Sequence, residues 1–291
     1  MGAEPLISIC IPSYNNEEFI AATLESVLKQ TYRNLEIIVS DDRSSDNTVS
    51  VARCFSDPRI RLFENKANLG IGGNWNQALS HATGKYIKLM GADDLIYPEC
   101  MQRQVEVLEN PAHANVVLAV CNTDIVNPSG KVVMRRRFRF GHGLATGKKL
   151  IGKCVRWGTN YVGEPVVGLF KREVLARSGL YDPSNPYWLD LIFWAELLKY
   201  GDAFMDQNRL AAFRISGGSV TTSLGFKQAA YTRRFIRRMR ADPVYHSSPL
   251  DGLFGFIFSL PLCLARNLLI NFWTRSKPES RTLHATAAKN K

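Results

Sequence analysis

The sequence predicts an α/β fold with a Rossmann-like, mostly parallel central sheet flanked by helices, followed by a smaller mixed region and C-terminal helices. Short apolar runs rich in β-branched residues alternate with stretches whose apolar residues recur at helical spacing. Such alternation is typical of parallel sheets with right-handed crossovers. Polar and acidic clusters also follow several of the apolar runs directly. Ligands of such sheets bind beyond the carboxyl ends of the strands, so we expect these clusters to meet in one crevice.

Buried strands and helices alternate through residues 1–125. The first strand, Leu6–Ile11, leads into a polar turn in which Asn16 is expected to cap a helix with Ile20 and Leu24 on its apolar face. Asp46 opens the next helix, and a Gly-Ile-Gly-Gly stretch at residues 70–73 is expected to be a flexible approach to a third. The later strands and the last helix of this half are predicted at Leu35–Ser40, Arg59–Glu64, Tyr86–Met90, Val116–Asn122 and Tyr97–Asn110.

The regular alternation of predicted strands and helices ends at a turn at residues 127–130. The patterns predict a helix near Lys148–Trp157, a strand at Val166–Lys171, a helix at Tyr187–Tyr200, and short strands near Ala203–Met205 and Leu210–Ile215. We therefore expect one domain at 1–220 with halves at 1–125 and 126–220. A helical region follows at 221–274, and a polar stretch at 275–291 is expected to be a disordered tail.

Composition limits the functional classes. The chain has 291 residues, of which 45% are hydrophobic, and its six cysteines form no C-x-x-C pair. This pattern argues against a disulfide framework or a zinc site and predicts a cytosolic protein, with no leader before the first strand. The net charge of +11 would attract phosphorylated substrates or an anionic membrane. Nucleic acid is not expected as a partner, because the sequence carries no helix-turn-helix, zinc-finger or RNA-binding signature.

The segment Leu250–Trp273 is strongly apolar, but Pro261 and Arg266 interrupt it. A membrane span needs about 20 predominantly apolar residues, which disfavours a true span here. Three interpretations stay open. The segment is a helix packed on the domain, a helix lying in the interface of a membrane at its cytoplasmic face, or, least favoured, a true span.

Pairs of acids follow two of the predicted strands. Asp93 and Asp94 are adjacent carboxylates, which repel each other unless a cation or hydrogen-bond donors lie between them. Mg²⁺ or Mn²⁺ favours one or two carboxylates plus phosphate oxygens, whereas the alternative is a turn that caps the next helix. Asp42 would accept a hydrogen bond from a uracil-type base or a ribose, or cap a helix. Tyr14, at the end of the first strand, would lie against a base or serve only as a turn residue.

Six motifs together resemble glycosyltransferase family 2, the large inverting family with a GT-A type fold. They are SICIPSYN, EIIVSDDRSSDNT, NLGIGGNWNQAL, KYIKLMGADD, GEPVVGLFKREV and WLDLIFWAELL, in this order, and the resemblance covers about Ile7–Ile215. It implies a metal-dependent transfer of a sugar from a nucleotide-sugar donor to an acceptor hydroxyl. Residues 1–125 would then bind the donor, and residues 126–220 would lie on the acceptor side.

The resemblance also implies roles for individual residues at the donor. Asp94 would ligate Mg²⁺ or Mn²⁺ and bridge it to the diphosphate, with Asp93 beside the ribose. The family often writes this motif as D-x-D-D, and Gly91 stands in the first position here. The other residues that the resemblance places at the donor are Pro12, Tyr14, Asp42, Asn76 and Arg214.

On the acceptor side, Asp190 matches the family's catalytic carboxylate, with Leu189 in place of an acid partner. An inverting transfer needs one base to remove the proton of the attacking hydroxyl. Glu164 and Trp188 match a loop that approaches the donor sugar and the acceptor. Ser216 stands where relatives often carry a histidine, so a histidine metal ligand is not expected.

The expected partners are a nucleotide-sugar donor, with UDP as the expected nucleotide, and a glycan or lipid-linked acceptor used in surface polysaccharide or glycolipid synthesis. Two alternatives remain. A nucleotidyltransferase would carry a glycine-rich basic loop after the first strand, where this chain has PSYNNEE. A catalytically degenerate nucleotide-sugar-binding protein would bind the donor without turnover.

Overall fold

One sheet organises the chain in the computed structural model, which describes residues 4–136, 141–215, 224–245 and 247–274, with side chains up to residue 269. Its strands are β1 Ile7–Ser13, β2 Leu35–Asp41, β3 Ile60–Glu64, β4 Tyr86–Leu89, β5 Leu95–Ile96, β6 Val116–Val126, β7 Val132–Arg136, β8 Gly143–Ala145, β9 Gly168–Lys171 and β10 Asp202–Arg214. The helices are α1 Ile20–Leu28, α2 Thr48–Arg53, α3 Gly70–Ser80, α4 Cys100–Glu109, α5 Gly147–Trp157, α6 Leu175–Ser178, α7 Leu189–Leu197, α8 Lys227–Ala241 and α9 Pro249–Thr274. The predicted tail, Ser216 and residues 137–139 of the basic run lie outside the described residues.

The sheet has a parallel half and a mixed half. The strand order is β3-β2-β1-β4-β9-β6-β10-β5, with β7 beside β6 and β8 beside β10. Strands β1 to β4 are parallel, as is the long β6–β10 pair. The short strands β5, β7, β8 and β9 add the antiparallel contacts. The predicted α/β class with a large central sheet is therefore confirmed.

Several local predictions need correction. Helix α1 begins at Ile20, and the Asn16 side chain accepts from the Tyr14 N–H instead of capping the helix. Residues 70–73 are the first turn of α3, not an approach to it. The two strands predicted between residues 203 and 215 are one strand, β10, in which a bulge at Asp206–Arg209 breaks the apolar pattern. The predicted strand at Val166–Lys171 begins as a 3₁₀ turn.

One large hydrophobic core joins the two halves of the predicted domain, and a small second cluster contains Ile125 and Ile215. Every residue of β1 and β6 is buried, as their apolar, β-branched sequences require. Trp194 of α7 packs edge-on against Phe170 of β9, and both belong to the same buried cluster as Ile9 of β1. The cysteines are free thiols, as the sequence predicts. Residues from both halves are thus held on one rigid support.

Helix α9 packs against α5 and α8 and leaves its other face exposed. The approach to α5 is close, because a Cβ on Gly255 would lie 2.1 Å from the Val155 carbonyl oxygen. The stretch Pro249–Leu269 is long and apolar enough to cross a membrane by length and composition. Within its apolar 18-residue segment, 22% is buried. The large apolar side chains on its exposed face include Leu253, Ile257, Leu260, Leu264 and Leu268.

Candidate functional site

A cleft of about 1080 Å³ lies beyond the carboxyl ends of β1, β2 and β4 and extends to α7 and α9. It brings together three acids that are far apart in the sequence, namely Asp42, Asp94 and Asp190. The predicted site residues that line it are Pro12, Tyr14, Asp42, Asp93, Asp94, Glu164, Trp188, Asp190 and Arg214. The cleft therefore collects almost the whole set that the sequence singles out.

Asp42 is held rigidly at the end of β2. Its Oδ1 accepts hydrogen bonds from the Leu69 backbone N–H at 2.8 Å and from the Asn65 side-chain amide at 2.9 Å. The residue is buried, and its own N–H donates to the Ser13 carbonyl oxygen of β1 at 2.9 Å. These bonds fix the carboxylate in one orientation at the wall of the cleft, as recognition of a base edge requires.

Tyr14 extends from the turn that follows β1. Its ring is half exposed, at 50%, and it lines the cleft next to Pro12. Asn15 holds this turn, with a left-handed φ of 51° and a side-chain oxygen that accepts from the Ser45 N–H at 2.9 Å. The turn therefore connects the end of β1 to the loop after β2 and presents an aromatic face to solvent.

Asp93 and Asp94 lie in the turn after β4, over Gly91. A Cβ on Gly91 would meet Asp93 Oδ1 at 2.8 Å and Asp94 Oδ2 at 3.2 Å, so two carboxylate oxygens face the same small space. Asp94 is buried, and its Oδ1 accepts from the Arg214 backbone N–H at 3.0 Å. Burial and the neighbouring Asp93 charge raise the pKa of Asp94 above its usual range.

This pair fits a divalent cation that shares its ligands with a substrate. Carboxylate oxygens are the ligands that Mg²⁺ and Mn²⁺ prefer. In the described part of the chain, no group of three or more His, Cys, Asp or Glu side chains could hold a metal ion. A cation at Asp93 and Asp94 would thus need further oxygens from water or from a bound diphosphate.

The Arg214 guanidinium is engaged by backbone carbonyl groups. It donates to Asp93 at 2.8 Å, to Asn127 at 3.1 Å and to Pro128 at 2.9 Å, and it lies over the Phe19 ring at 4.9 Å. These contacts fasten β10 to the turn that carries the acids. The donor contact that the resemblance implies for Arg214 stays a prediction, although three of its five N–H groups already donate to these carbonyl oxygens.

Asp190 stands at the start of α7 and faces the cleft. Its Oδ1 accepts from the Leu191 N–H at 2.7 Å, and its Oδ2 accepts from the Asn160 side-chain amide at 2.9 Å. Burial, and then the charge of Glu164, raise the pKa of Asp190 to about 7. A carboxylate with such a pKa accepts a proton near neutral pH more readily than an ordinary aspartate does.

Glu164 pairs with Arg136 of β7 beside Asp190. Arg136 donates to Glu164 Oε1 and, at 3.0 Å, to the Asn160 carbonyl oxygen. The second Glu164 oxygen, Oε2, is buried and has no hydrogen-bond partner among the described residues. A buried carboxylate oxygen without a donor is costly, and it suits a position that a substrate hydroxyl completes.

Asn76 does not line the cleft, in contrast to the sequence prediction. Both atoms of its side-chain amide bond the backbone of Tyr181, at 2.9 Å and 3.0 Å. Asn74 lines the cleft instead, and its buried amide bonds Ser40 and the Ser13 carbonyl oxygen. Side chains two positions apart on a helix point in different directions, so α3 offers Asn74 and not Asn76 to the cleft.

Asn160, Arg136 and Arg266 also line the cleft, although the sequence pattern does not single them out as site residues. Arg266 comes from α9 and lies 5.6 Å from the Tyr187 ring and 5.8 Å from the Trp188 ring. The Trp188 indole N–H donates to Thr232 of α8 at 3.0 Å, so Trp188 offers the cleft its ring. The sequence feature that could have indicated Arg266 as a site residue is its positive charge within an otherwise apolar helix.

Comparison with known proteins places this cleft in context. The sequence model described as glycosyl transferase family 2 matches residues 8–177, more than half of the chain. The Escherichia coli enzyme WfgD, a UDP-Glc:α-D-GlcNAc-diphosphoundecaprenol β-1,3-glucosyltransferase, is 39% identical over 153 residues, which are 51% of this chain and 56% of WfgD. An uncharacterized Mycobacterium tuberculosis protein is 31% identical over 224 residues, covering 76% of this chain and 70% of the relative.

Solved structures share the fold at low sequence identity. The S. aureus TarS fragment 1–349 in complex with UDP-GlcNAc has a TM-score of 0.64 at 18% identity, over 91% of this chain and 72% of the fragment. The Pyrobaculum calidifontis mannosyltransferase PcManGT, in complex with GDP-Man and Mn²⁺, has a TM-score of 0.64 at 19% identity, over 92% of this chain and 74% of that enzyme. At these identities the likeness concerns the fold alone.

Proposed function

Because the chain belongs to glycosyltransferase family 2 and has the fold of GT-A glycosyltransferases, we propose that it transfers a sugar from a UDP-sugar to an acceptor hydroxyl with inversion of the anomeric carbon. The observation that carries this proposal is the single cleft in which Asp42, Asp94 and Asp190 meet. The catalytic domain would comprise residues 1–220, with its donor half at 1–125 and its acceptor half at 126–220. Residues 221–274 would form an accessory helical region.

The donor would lie along the ends of β1, β2 and β4. Asp42 would accept the N3–H of the uracil ring, because its carboxylate is already oriented by Leu69 and Asn65. Tyr14 would stack on the base, and Pro12 would pack beside it. Asp93 would accept from a ribose hydroxyl, which leaves Asp94 closest to the diphosphate.

Asp94, assisted by Asp93, would hold Mg²⁺ or Mn²⁺ through the oxygens that face each other above Gly91. When bound, such a cation offsets the negative charge that develops on a departing nucleoside diphosphate. The solved complex of the structural relative PcManGT with GDP-Man contains Mn²⁺, which supports the same choice here.

Asp190 would act as the general base. As the acceptor oxygen attacks the anomeric carbon, its proton passes to Asp190, and the bond to the diphosphate oxygen breaks on the opposite face. Asn160 would hold Asp190 in position through its 2.9 Å hydrogen bond. Glu164 and the Trp188 ring would position the acceptor or the donor sugar, with Glu164 Oε2 accepting from a hydroxyl.

The acceptor would be a glycan or a lipid-linked glycan in surface polysaccharide or glycolipid synthesis. The name of the relative WfgD includes a diphosphoundecaprenol-linked sugar as acceptor, which supports a lipid-linked substrate. The exposed apolar face of α9 would then rest on the cytoplasmic face of a membrane, with the domain in the cytoplasm. Co-sedimentation with anionic vesicles, compared with neutral vesicles, tests this location.

A transfer assay tests the function. UDP-glucose and UDP-N-acetylglucosamine are incubated with Mn²⁺ and a panel of lipid-linked and free glycans, and both UDP release and glycosylated product are measured. We expect product formation that Asp94→Ala and Asp190→Asn abolish, with the anomeric configuration read by NMR. Donor binding without turnover would instead indicate a degenerate binding protein, and a retained anomeric configuration would contradict the inverting mechanism.

A further inference from the structure

The acceptor end of the cleft contains a cation, Arg266, that no side chain in the described part of the chain pairs with. The described lining includes three arginines, Arg136, Arg214 and Arg266. Arg136 pairs with Glu164, and Arg214 is bonded to three backbone carbonyl groups. Among the described residues, none accepts a hydrogen bond from the Arg266 guanidinium or forms an ion pair with it. Arg266 is therefore the lining arginine whose N–H groups are available to a ligand.

The surroundings of Arg266 favour an anion. Its guanidinium lies over the rings of Tyr187 and Trp188, which orient it but accept no conventional hydrogen bond. Burial and the nearby charge of Arg136 lower the pKa of Arg266 to about 10, against the opposing effect of the Glu164 charge, so Arg266 stays charged at neutral pH. A buried cation that no anion contacts directly is destabilising, and a phosphate would satisfy it with paired N–H···O bonds.

The neighbours of Arg266 on α9 are apolar. Leu262, Ala265 and Leu269 line the same cleft, one helical turn from Arg266 or next to it. On the outer face, Leu264 and Leu268 are exposed. The lining of the cleft thus combines the acids Glu164 and Asp190, the Arg266 cation and an apolar helix surface that reaches solvent.

We propose that Arg266 and the apolar wall of α9 bind the phosphate and the first part of the alkyl chain of a lipid-linked acceptor. The order of groups in such an acceptor is a sugar hydroxyl, a phosphate or diphosphate, and a hydrocarbon chain. The cleft offers a contact for each of these groups, namely the proposed base Asp190, the guanidinium of Arg266 and the leucines of α9. This inference rests on the proposed function for the identity of the reaction, but the binding site stands on its own contacts.

A binding measurement tests the site without turnover. The full chain is titrated with undecyl diphosphate in EDTA, which removes any metal-assisted diphosphate binding at Asp93 and Asp94, and with the neutral analogue undecanol. We expect Arg266→Gln to weaken undecyl diphosphate binding about 10- to 100-fold, the loss typical of charge-assisted hydrogen bonds. Arg266→Lys is expected to restore part of the affinity, since it keeps the charge and loses the paired geometry.

Arg156→Gln provides the matched control. Arg156 also lies beside α9, 5.6 Å from the Phe254 ring and 3.6 Å from Asp251, but it is not among the cleft-lining residues. We expect this variant to bind undecyl diphosphate within about twofold of the unmodified chain, as an exposed pair contributes little. Thermal unfolding of each variant establishes that it is folded before it is titrated.

Three outcomes would overturn the proposal. Undecanol binding as tightly as undecyl diphosphate would mean that only the apolar wall binds. Equal loss in Arg266→Gln and Arg156→Gln would indicate general electrostatic attraction. If Arg266→Gln lowered binding to phosphatidylglycerol vesicles by the same factor as binding to undecyl diphosphate, Arg266 would serve bulk lipid headgroups.

A separate titration keeps this proposal distinct from the proposed function. UDP binding with Mn²⁺ is measured on the same proteins, and we expect Arg266→Gln to leave it unchanged. A loss of UDP affinity in this variant would move Arg266 to the donor and overturn the acceptor site. An unmodified chain that bound no UDP but bound undecyl diphosphate through Arg266 would contradict the UDP donor while supporting the anionic lipid site.

Discussion

The Asn160 side-chain amide donates a 2.9 Å hydrogen bond to Asp190 Oδ2, while its own Oδ1 accepts from the backbone N–H groups of Val162 and Gly163, each at 2.9 Å. One side chain thus orders the loop that carries Glu164 and fixes the orientation of the proposed base. Because the Glu164 charge also raises the pKa of Asp190, substitutions at this loop can test the titration of Asp190.

Asn160→Asp should raise the pH at which transfer reaches half its maximum. The new carboxylate keeps an oxygen for Val162 and Gly163 but turns a second one toward Asp190, and two adjacent carboxylates resist ionising together. The measurement is the pH profile of kcat. Asn115→Asp is the matched control, because Asn115 donates to Asp202 at 2.9 Å away from the cleft. An unchanged profile in Asn160→Asp would exclude Asp190 as the titrating base.

Glu164→Gln should shift the same profile in the opposite direction. The pKa of Asp190 is raised to about 7 by burial and by the Glu164 charge, so activity should rise as pH increases through about 7. Removing that charge lowers the pKa of Asp190, and Arg136, released from its partner, lowers it further. Glu196→Gln is the control for the loss of one acidic charge. Glu196 lies on α7, as Asp190 does, but it pairs with Lys199 and Arg238 outside the cleft.

Asp190→Asn should lower kcat by about 10²–10⁴-fold, the usual contribution of a positioned base. An asparagine oxygen can still accept from the Leu191 N–H, so the start of α7 should persist. Donor affinity, measured by calorimetry with UDP and Mn²⁺, should stay within about twofold, because Asp190 lies on the acceptor side. A variant whose kcat equalled that of the unmodified chain would require another base.

Asp42→Asn should weaken UDP binding about 10- to 100-fold, the cost of leaving a buried donor without its acceptor. The asparagine oxygen can replace Oδ1 toward Leu69 and Asn65, so the fold should tolerate the change. The new amide would face the uracil N3–H but could donate to the N3 of cytosine. Calorimetry with UDP and CDP should therefore show a falling UDP preference, whereas Asp57→Asn, a pair with Arg59 outside the cleft, should not.

Gly91→Ala should weaken Mn²⁺-dependent UDP binding about 10-fold or more, in the range seen when ligand positioning around a metal is disturbed. The added Cβ would lie 2.8 Å from Asp93 Oδ1, so the carboxylate must move while the backbone need not. A higher Mn²⁺ concentration should recover part of the binding. Gly152→Ala, where a Cβ meets nothing within 4 Å, is the control. Equal binding in both variants would argue against a cation at this position.

The sequence predicts which strand-end residues line the cleft, because strand ends are local features. Apolar runs mark β1, β2 and β4, and the carboxyl-end rule then brings Asp42 and Asp94 together without knowledge of packing. The position of β9 could not be predicted in this way. It enters antiparallel between β4 and β6, and lateral order depends on contacts between residues far apart in the sequence.

Two further differences between the sequence prediction and the structure also arise from contacts between residues far apart in the sequence. Asn76 and Asn74 are two positions apart, and only the packing of α3 decides which amide faces the cleft. Arg266 lines the cleft because α9 crosses α5 closely at Gly255, a tertiary contact that no local pattern announces. The residues that complete the acceptor side thus depend on how distant helices meet.

Because α9 lies outside the sheet, changes in α9 can be considered separately from changes in the acids at the strand ends. The acids that follow the strands lie at the ends of the sheet, whereas the wall formed by α9 belongs to a segment outside the sheet. Chimeras that exchange only residues 249–274 between relatives would keep the machinery of the sheet and replace one side of the substrate channel. Under the proposed function, divergence in this segment would change the acceptor and leave the proposed residues of the transfer step in place.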